Sequence, residues 1–168
     1  MVVVSNSSPL IWLSRIRALN LLREVCAEVI IPQEVFEEVV QRGKHLGYAD
    51  AIVVEQAVEA GWIKVKKIKT KLKIQELIEI HSGEAAVLQL ALQEKINKVI
   101  IDDGAARIIA KGLGLEPRGS VHIIITAAKR NLITAKRARE LLTSLVSAGF
   151  RLSPEVFAHA IKSLDEMP

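Results

Sequence analysis

The sequence predicts an α/β fold built on a parallel sheet, and three observations carry that prediction. Short β-branched runs alternate with stretches of helical periodicity. The main runs are almost uniformly apolar, which is typical of parallel strands that are buried on both faces. The chain has 168 residues, of which 50% are hydrophobic and only 4% aromatic, so a single domain with an aliphatic core accounts for the whole length.

The predicted strands lie in the first two thirds of the chain. Residues 2–4, 29–31 and 98–101 are the main candidates, and residues 63–65 are a weaker one. Residues 119–168 carry three apolar stripes of helical period and no convincing strand. We therefore expect one domain spanning 1–168, in which 119–168 form a mostly helical C-terminal portion.

Several predicted helices have recognisable beginnings. Ser8 and Ser153 are each followed by proline, which is the pattern of an N-cap with proline at the first helical position. A further helix carries one apolar stripe and ends near two glycines. The stripe consists of Ala106, Ile109, Ala110 and Leu113, and the glycines are Gly112 and Gly114.

Charge and cysteine content limit the possible settings. The net charge is +4 and the isoelectric point is near 9.3, a mild basic excess that permits a nucleic-acid partner without requiring one. The apolar runs are too short to cross a membrane, and the N-terminus does not resemble a signal peptide. Cys26 is the only cysteine, which fits a reducing compartment. We expect a cytoplasmic protein without a membrane segment.

Acidic side chains follow the predicted strands, at the sheet edge where α/β proteins place functional groups. Glu38 lies in the helix after residues 29–31, Glu84 opens another helix, and Asp102 and Asp103 follow residues 98–101. Each alone has a simple explanation as a helix cap or as solvated helix surface. Two adjacent carboxylates at the end of an apolar strand need a cation or hydrogen-bond donors to offset their repulsion, and Mg²⁺ or Mn²⁺ meets that need.

Four segments together resemble the PIN-domain family, in its prokaryotic branch related to VapC-type toxins of toxin-antitoxin systems. They are Val-Val-Ser-Asn-Ser-Ser-Pro-Leu-Ile, Ile-Ile-Pro-Gln-Glu-Val-Phe-Glu-Glu-Val, Ser-Gly-Glu-Ala-Ala, and Val-Ile-Ile-Asp-Asp. The resemblance runs nearly end to end, including Asn-Leu-Ile-Thr and Ala-Gly-Phe-Arg-Leu-Ser-Pro near the C-terminus.

The resemblance implies a three-layer α/β/α fold and an acidic cluster that binds Mg²⁺ or Mn²⁺ and cleaves single-stranded RNA. It places the metal ligands at Asn6, Glu38, Glu84 and Asp103, and the catalytic carboxylates at Glu38, Glu84, Asp103 and the neighbouring Asp102. The implied reaction is metal-assisted hydrolysis, in which activated water attacks phosphorus and no protein nucleophile is required.

Two departures from the family pattern bear on activity. Asn6 stands where the family usually has Asp, and an amide oxygen ligates a hard cation without adding negative charge. Ile101 stands where many relatives have Thr or Ser. Ser7 matches a small hydroxyl position, where it can orient a ligand or simply serve a turn or cap. We therefore expect weakened metal binding, not its loss.

Basic side chains form two groups, and Arg107 stands apart from both. Arg107 can hold a phosphate or form an ion pair with Asp103 four residues earlier. The first group can follow an RNA backbone, or it can protect an edge strand, and the second group has the same two readings. The first group is Lys64, Lys66, Lys67, Lys69, Lys71 and Lys73; the second is Lys129, Arg130, Lys136, Arg137 and Arg139.

Two functions remain in competition at this point. The first is a metal-dependent ribonuclease acting on single-stranded RNA, for which the resemblance implies the role of toxin in a toxin-antitoxin pair, with an antitoxin protein as partner. The second is a degenerate PIN domain that binds RNA or a protein without cleavage, because Asn6 replaces the usual Asp. The many apolar helix stripes and the resemblance also lead us to expect a homodimer.

Overall fold

The computed structural model describes residues 1–69 and 81–167. Its strands form one all-parallel sheet in the order β3-β2-β1-β4-β5. The strands are β1 (Val2–Ser5), β2 (Glu28–Pro32), β3 (Ile63–Lys66), β4 (Lys98–Ile100) and β5 (Glu116–Arg118).

Helices connect and cover the strands. One helical stretch changes to π-helical geometry in its middle and returns to α at its end. The helices are α1 (Ser7–Arg15), α2 (Leu19–Val25), α3 (Gln33–Phe36), the π-helix (Glu37–Arg42), α4 (Gly43–His45), α5 (Ala49–Glu59), α6 (Ser82–Gln93), α7 (Gly104–Gly112), α8 (Ser120–Lys129), α9 (Ala135–Ser147) and α10 (Pro154–Asp165).

The predicted parallel sheet and the three-layer α/β/α class are confirmed. Helix α6 packs across β1, β2 and β4, while α2 contacts both β2 and α8, and α8, α9 and α10 pack on one another. The central strands are apolar and buried because both faces of the sheet are covered; Val3, Val29 and Val99 are all fully buried. The core is aliphatic, as the composition indicates.

All four predicted strands exist, but the sequence analysis missed β5. This strand reads Glu-Pro-Arg, and only Pro117 is buried. Proline removes a hydrogen-bond donor and is tolerated mainly on edge strands, and among the described strands β5 lies at the edge and pairs only with β4. Its pattern therefore gave no sign of a strand.

Helix beginnings agree with the sequence in two cases and differ in one. The Ser153 side chain accepts a hydrogen bond from the Val156 N–H and caps α10, and Asp103 caps α7. The prediction that Ser8 is an N-cap was wrong. Helix α1 begins at Ser7, and Asn6 occupies the N-cap position.

The centre of the sheet positions the site. Strand order reverses at β1, which has β2 on one side and β4 on the other. The Asn6 N–H donates to the Ile100 carbonyl at 2.9 Å, so the carboxyl ends of β1 and β4 are joined. Such a reversal opens a crevice at the sheet edge. Within the described ranges, no helix has the length and apolar character to span a membrane.

Candidate active site

The predicted site residues lie at the carboxyl edge of the sheet. Asn6 follows β1, Glu38 lies in the helical stretch after β2, and Asp102 and Asp103 follow β4. Glu84 lies in the first turn of α6, the helix that packs across these strands. Residues from four separate segments of the chain therefore meet at one edge.

A cleft of about 820 Å³ opens at this edge. Asn6, Glu38 and Glu84 line it. Two further carboxylates and two guanidinium groups stand around them, so the lining is strongly charged. These are Glu34, Glu37, Arg15 and Arg42. Asp102 and Asp103 are not among the residues that line this cleft.

Gly83 keeps an open space between two of the predicted ligands. A Cβ atom at position 83 would lie 3.1 Å from Glu38 Oε2 and 3.7 Å from Asn6 Oδ1. Both oxygens are therefore directed at the same small volume, which a side chain at position 83 would fill. An amide oxygen and a carboxylate oxygen facing one space are the donors that a hard divalent cation takes.

Ser7 positions Glu38. Its Oγ donates a hydrogen bond to Glu38 Oε2 at 2.7 Å, so it orients a carboxylate that is a predicted metal ligand. Glu38 is the second residue of the π-helix, and π-helical turns occur frequently at functional sites. A hydroxyl on α1 thus fixes the direction of a carboxylate that is otherwise exposed to solvent.

Glu84 is the most buried of the cleft carboxylates, with 8% of its surface exposed. Burial raises the pKa of Glu84 above its ordinary value, and the nearby charges of Asp103 and Glu38 raise it further. A hydrogen bond from the His81 N–H to Glu84 Oε2, at 3.2 Å, opposes the shift. Asp103 and Glu38 are therefore close enough to Glu84 for their charges to affect its pKa.

Asp103 has a structural role that is visible in the geometry. Its Oδ1 accepts a hydrogen bond from the Ala106 N–H at 2.8 Å and caps α7. The side chain is exposed. Capping uses one carboxylate oxygen, so the other remains available to a ligand.

Asp102 is directed away from the cleft and is fully supplied with donors. Its Oδ1 accepts from the Ser120 N–H at 2.7 Å, and its Oδ2 accepts from Ser120 Oγ at 2.7 Å and from Ser8 Oγ at 3.1 Å. Desolvation nevertheless raises the pKa of Asp102, and the hydrogen bonds and Arg107 oppose that effect. The hydrogen bonds and Arg107 offset in part the cost of its charge. A catalytic role for Asp102 stays a prediction.

Arg107 approaches Asp102, not Asp103. A Cβ at Gly119 would lie 2.9 Å from both Arg107 Nη1 and Asp102 Oδ1. Among the residues that the structure describes, Arg107 forms no ion pair with Asp103. The ion pair between Arg107 and Asp103 that the sequence allows is therefore absent from the described residues.

The first basic group, here called the lysine segment, begins on β3 at one edge of the sheet. Ion pairs neutralise part of its charge. Lys64 pairs with Glu28 and Lys66 pairs with Glu94. Lys67 and Lys69 are exposed. The predictions for Lys71 and Lys73 lie outside the described residues.

The donor set of the cleft fits a hard divalent cation, although its carboxylates are not gathered around one point. In residues 1–69 and 81–167, no group of three or more His, Cys, Asp or Glu side chains is placed to hold a metal ion. Burial is the main cause of the raised pKa of Glu84, and repulsion from Asp103 and Glu38 adds to it. Asn6 and Glu38 already face the space beside Gly83, and Glu84 and Asp103 would complete the donor set.

The sequence analysis missed two features of this edge. Ser120 was missed because it follows the unrecognised strand β5, and its contact with Asp102 spans 18 residues. Gly83 carried no signal beyond its place before Glu84, because its importance lies in the space that a side chain would occupy.

Comparison with known families agrees with this arrangement. A family model described as a PIN domain matches residues 2–166. No curated protein and no solved structure gives a significant match. Since the family model covers nearly the whole chain, this protein belongs to the PIN-domain family.

Proposed function

We propose that this protein is a metal-dependent ribonuclease that hydrolyses single-stranded RNA, with Mg²⁺ or Mn²⁺ as its cofactor. The observation that carries the proposal is the space beside Gly83, faced by oxygens of Asn6 and Glu38 and adjoined by the buried carboxylate of Glu84. Membership of the PIN-domain family supports a nuclease-type site. The buried free thiol of Cys26 accords with a cytoplasmic setting.

The site residues divide between metal binding, orientation of a ligand and proton transfer in this proposal. Asn6, Glu38, Glu84 and Asp103 hold the cation. When bound, a divalent cation offsets the carboxylate repulsion and the charge that develops on the phosphate oxygens. Ser7 keeps Glu38 oriented, and a carboxylate not engaged by the cation accepts a proton from the attacking water.

The first test is cleavage of a labelled single-stranded RNA with Mn²⁺ by the wild type and by Asp103→Asn. Asparagine caps a helix about as well as aspartate, so α7 is retained while the charge is lost. We expect cleavage by the wild type and a loss of about 100-fold or more in the variant. Undiminished cleavage by the variant would assign the activity to a contaminant or to another site.

The second candidate function is RNA or protein binding without cleavage. Two observations favour it: Asn6 replaces a charged ligand, and the described carboxylates form no ready-made metal cluster. The variant Asn6→Asp separates the two functions. If the site binds metal, the added charge tightens Mn²⁺ binding about tenfold in a calorimetric titration.

Gln41→Glu is the matched control for that titration. Gln41 lines the same cleft and is exposed. The substitution Gln41→Glu therefore adds the same charge as Asn6→Asp without adding a ligand beside Gly83. We expect a much smaller gain in affinity from this variant. Equal gains in both variants would indicate a general electrostatic effect and would remove Asn6 from the metal shell.

We propose, on the resemblance to VapC-type toxins, that the ribonuclease is the toxin of a toxin-antitoxin pair. Induced expression in a bacterial host is then expected to arrest growth, and Asp103→Asn is expected to relieve the arrest. Arrest by both forms at equal protein levels would contradict a nuclease toxin.

We also propose a homodimer. Four apolar side chains at or near α5 are between 40% and 55% exposed, which is unusual for large hydrophobic groups that lie near one another. They are Leu46, Tyr48, Ile52 and Val53. Analytical ultracentrifugation is expected to give twice the 18.5 kDa chain mass, and Ile52→Glu is expected to give a monomer. A wild-type monomer would refute the proposal.

A further inference from the structure

A second cleft, of about 560 Å³, lies beside the acidic one. It is formed by α7, α8, the segment 150–153 and α10. Its apolar surface includes Ile125, Leu152 and Val156. None of the four candidate metal ligands lines this cleft, whereas Asp102 and Arg107, both predicted site residues, do.

The second cleft is cationic. Arg107, Lys129 and Arg151 line it, and none of them has an ion-pair partner in the part of the chain that the structure describes. Asp102 is the one carboxylate in the lining, and its oxygens already accept three hydrogen bonds. Asp102 offsets part of the charge of Arg107, so an anion entering the cleft meets a net positive charge from three cations and one carboxylate.

His122 reports the same field. It lines the cleft on α8. Its pKa is lowered, first by desolvation and then by four surrounding cations. Those cations are Arg118, Lys129, Arg107 and Arg130. The surrounding cations disfavour a further positive charge at the imidazole, and the same positive potential attracts an anion.

The two clefts adjoin along a narrow ridge. Ser8 lines the acidic cleft and donates a hydrogen bond to Asp102, which lines the cationic one. Trp12 lines the acidic cleft and packs edge-on against Phe150 of the cationic cleft, with ring centroids 5.6 Å apart. The linings of the two clefts are therefore in contact, which places the cationic cleft next to the acidic one.

The lysine segment is a poorer candidate for binding RNA next to the acidic cleft. It begins on β3, an edge strand separated from β4 by β2 and β1. Lys64 and Lys66 are already paired with carboxylates. Position and charge therefore both favour the second cleft.

We propose that the cationic cleft binds backbone phosphates of single-stranded RNA next to the segment held in the acidic cleft. This inference rests on the proposed function for the identity of the ligand. Guanidinium groups at positions 107 and 151 suit the paired oxygens of a phosphodiester, and Lys129 adds a point charge. The apolar wall of Ile125 and Val156 accommodates the sugar edge.

Binding is measured by fluorescence anisotropy with a labelled twelve-residue oligouridylate in EDTA, so that cleavage cannot occur. The test variant is Lys129→Gln with Arg151→Gln. The control is Lys111→Gln with Lys136→Gln, which removes equal charge from exposed positions outside the cleft. Thermal unfolding of both variants checks that the fold is retained.

We expect the test variant to bind about tenfold more weakly than the wild type, and the control to change by less than about threefold. The slope of log affinity against log salt concentration is expected to fall by about 1.4 in the test variant, since each lost phosphate contact on a single strand removes about 0.7. Equal behaviour of the two variants, or no RNA binding by the wild type, would overturn the inference.

Competition experiments identify which kind of phosphate the cleft binds. Inorganic phosphate or uridine monophosphate that displaces the oligonucleotide at equal phosphate concentration would overturn the backbone assignment, as would preferred binding of an oligoglutamate peptide. Cleavage with Mn²⁺ is scored separately. If the wild type cleaves RNA but the test and control variants bind it equally well, this inference is wrong and the proposed ribonuclease stands. If the test variant binds RNA more weakly than the control but the wild type does not cleave it, the proposed ribonuclease is wrong and this inference stands.

Discussion

Replacing Gly83 by alanine tests the open space at the acidic cleft without removing any candidate ligand. The new Cβ would lie 3.1 Å from Glu38 Oε2, which is closer than the roughly 3.5 Å optimum for non-bonded heavy atoms. Glu38 is exposed, so its carboxylate moves by a few tenths of an ångström instead of forcing a backbone change. The substitution therefore fills the volume that Asn6 and Glu38 face.

The expected effect on stability is small. Alanine in a helix is favoured over glycine by up to about 1 kcal/mol. Moving Glu38 weakens its hydrogen bond with Ser7, at 2.7 Å, and a whole bond to a charged group contributes about 1.5–3 kcal/mol. The two effects oppose each other, so we expect the free energy of unfolding of Gly83→Ala to stay within about 1 kcal/mol of wild type.

Metal binding is expected to respond much more strongly. Disturbing the groups that position metal ligands typically costs 10–100-fold in affinity, so Gly83→Ala is expected to weaken Mn²⁺ binding by about tenfold or more in a calorimetric titration. Gly112→Ala is the matched control, because a Cβ at that helical position meets nothing within 4 Å. Its Mn²⁺ affinity is expected to stay at the wild-type value. Unchanged affinity in Gly83→Ala would refute the assignment of this space to the metal.

Other residues give further predictions. Ser120→Ala removes one of the donors to the partly buried Asp102 carboxylate and is expected to lower the free energy of unfolding by about 1.5–3 kcal/mol in urea titrations; a change below about 0.5 kcal/mol would contradict that role. NMR titration of His122 is expected to give a pKa below its ordinary 6.5, and Lys129→Gln is expected to raise it. Because the folded state binds fewer protons at this imidazole than the unfolded chain, its contribution to stability is present above about pH 6.5 and is lost as the pH falls through the folded pKa. An unshifted titration would contradict the cationic field.

Much of the fold could be predicted because its signals are local. The β-branched runs at residues 2–4, 29–31 and 98–101 identify their own strands, and uniform apolarity identifies a parallel sheet. Strand β5 was missed because an edge strand needs neither an apolar pattern nor every backbone donor. Its Pro117 is acceptable only because no further strand pairs beyond it in the described sheet.

The candidate site could be predicted only as a set of residues. The acids were recognisable because they follow strands. The separate roles of these acids could not be predicted, because they depend on contacts between residues far apart in the sequence. Ser120 donates to Asp102 across 18 residues, and Ser7 donates to Glu38 across 31. The π-helical turn that carries Glu38 depends on the packing around residues 37–42 and leaves no periodic signature.

The most direct test of a divalent metal site is a crystal structure with Mn²⁺ and its anomalous scattering. We expect a peak in the acidic cleft beside Gly83, with oxygens of Asn6, Glu38, Glu84 and Asp103 drawn to within about 2.2 Å. An empty cleft at millimolar Mn²⁺, or a peak that these side chains do not surround, would contradict the metal-dependent ribonuclease.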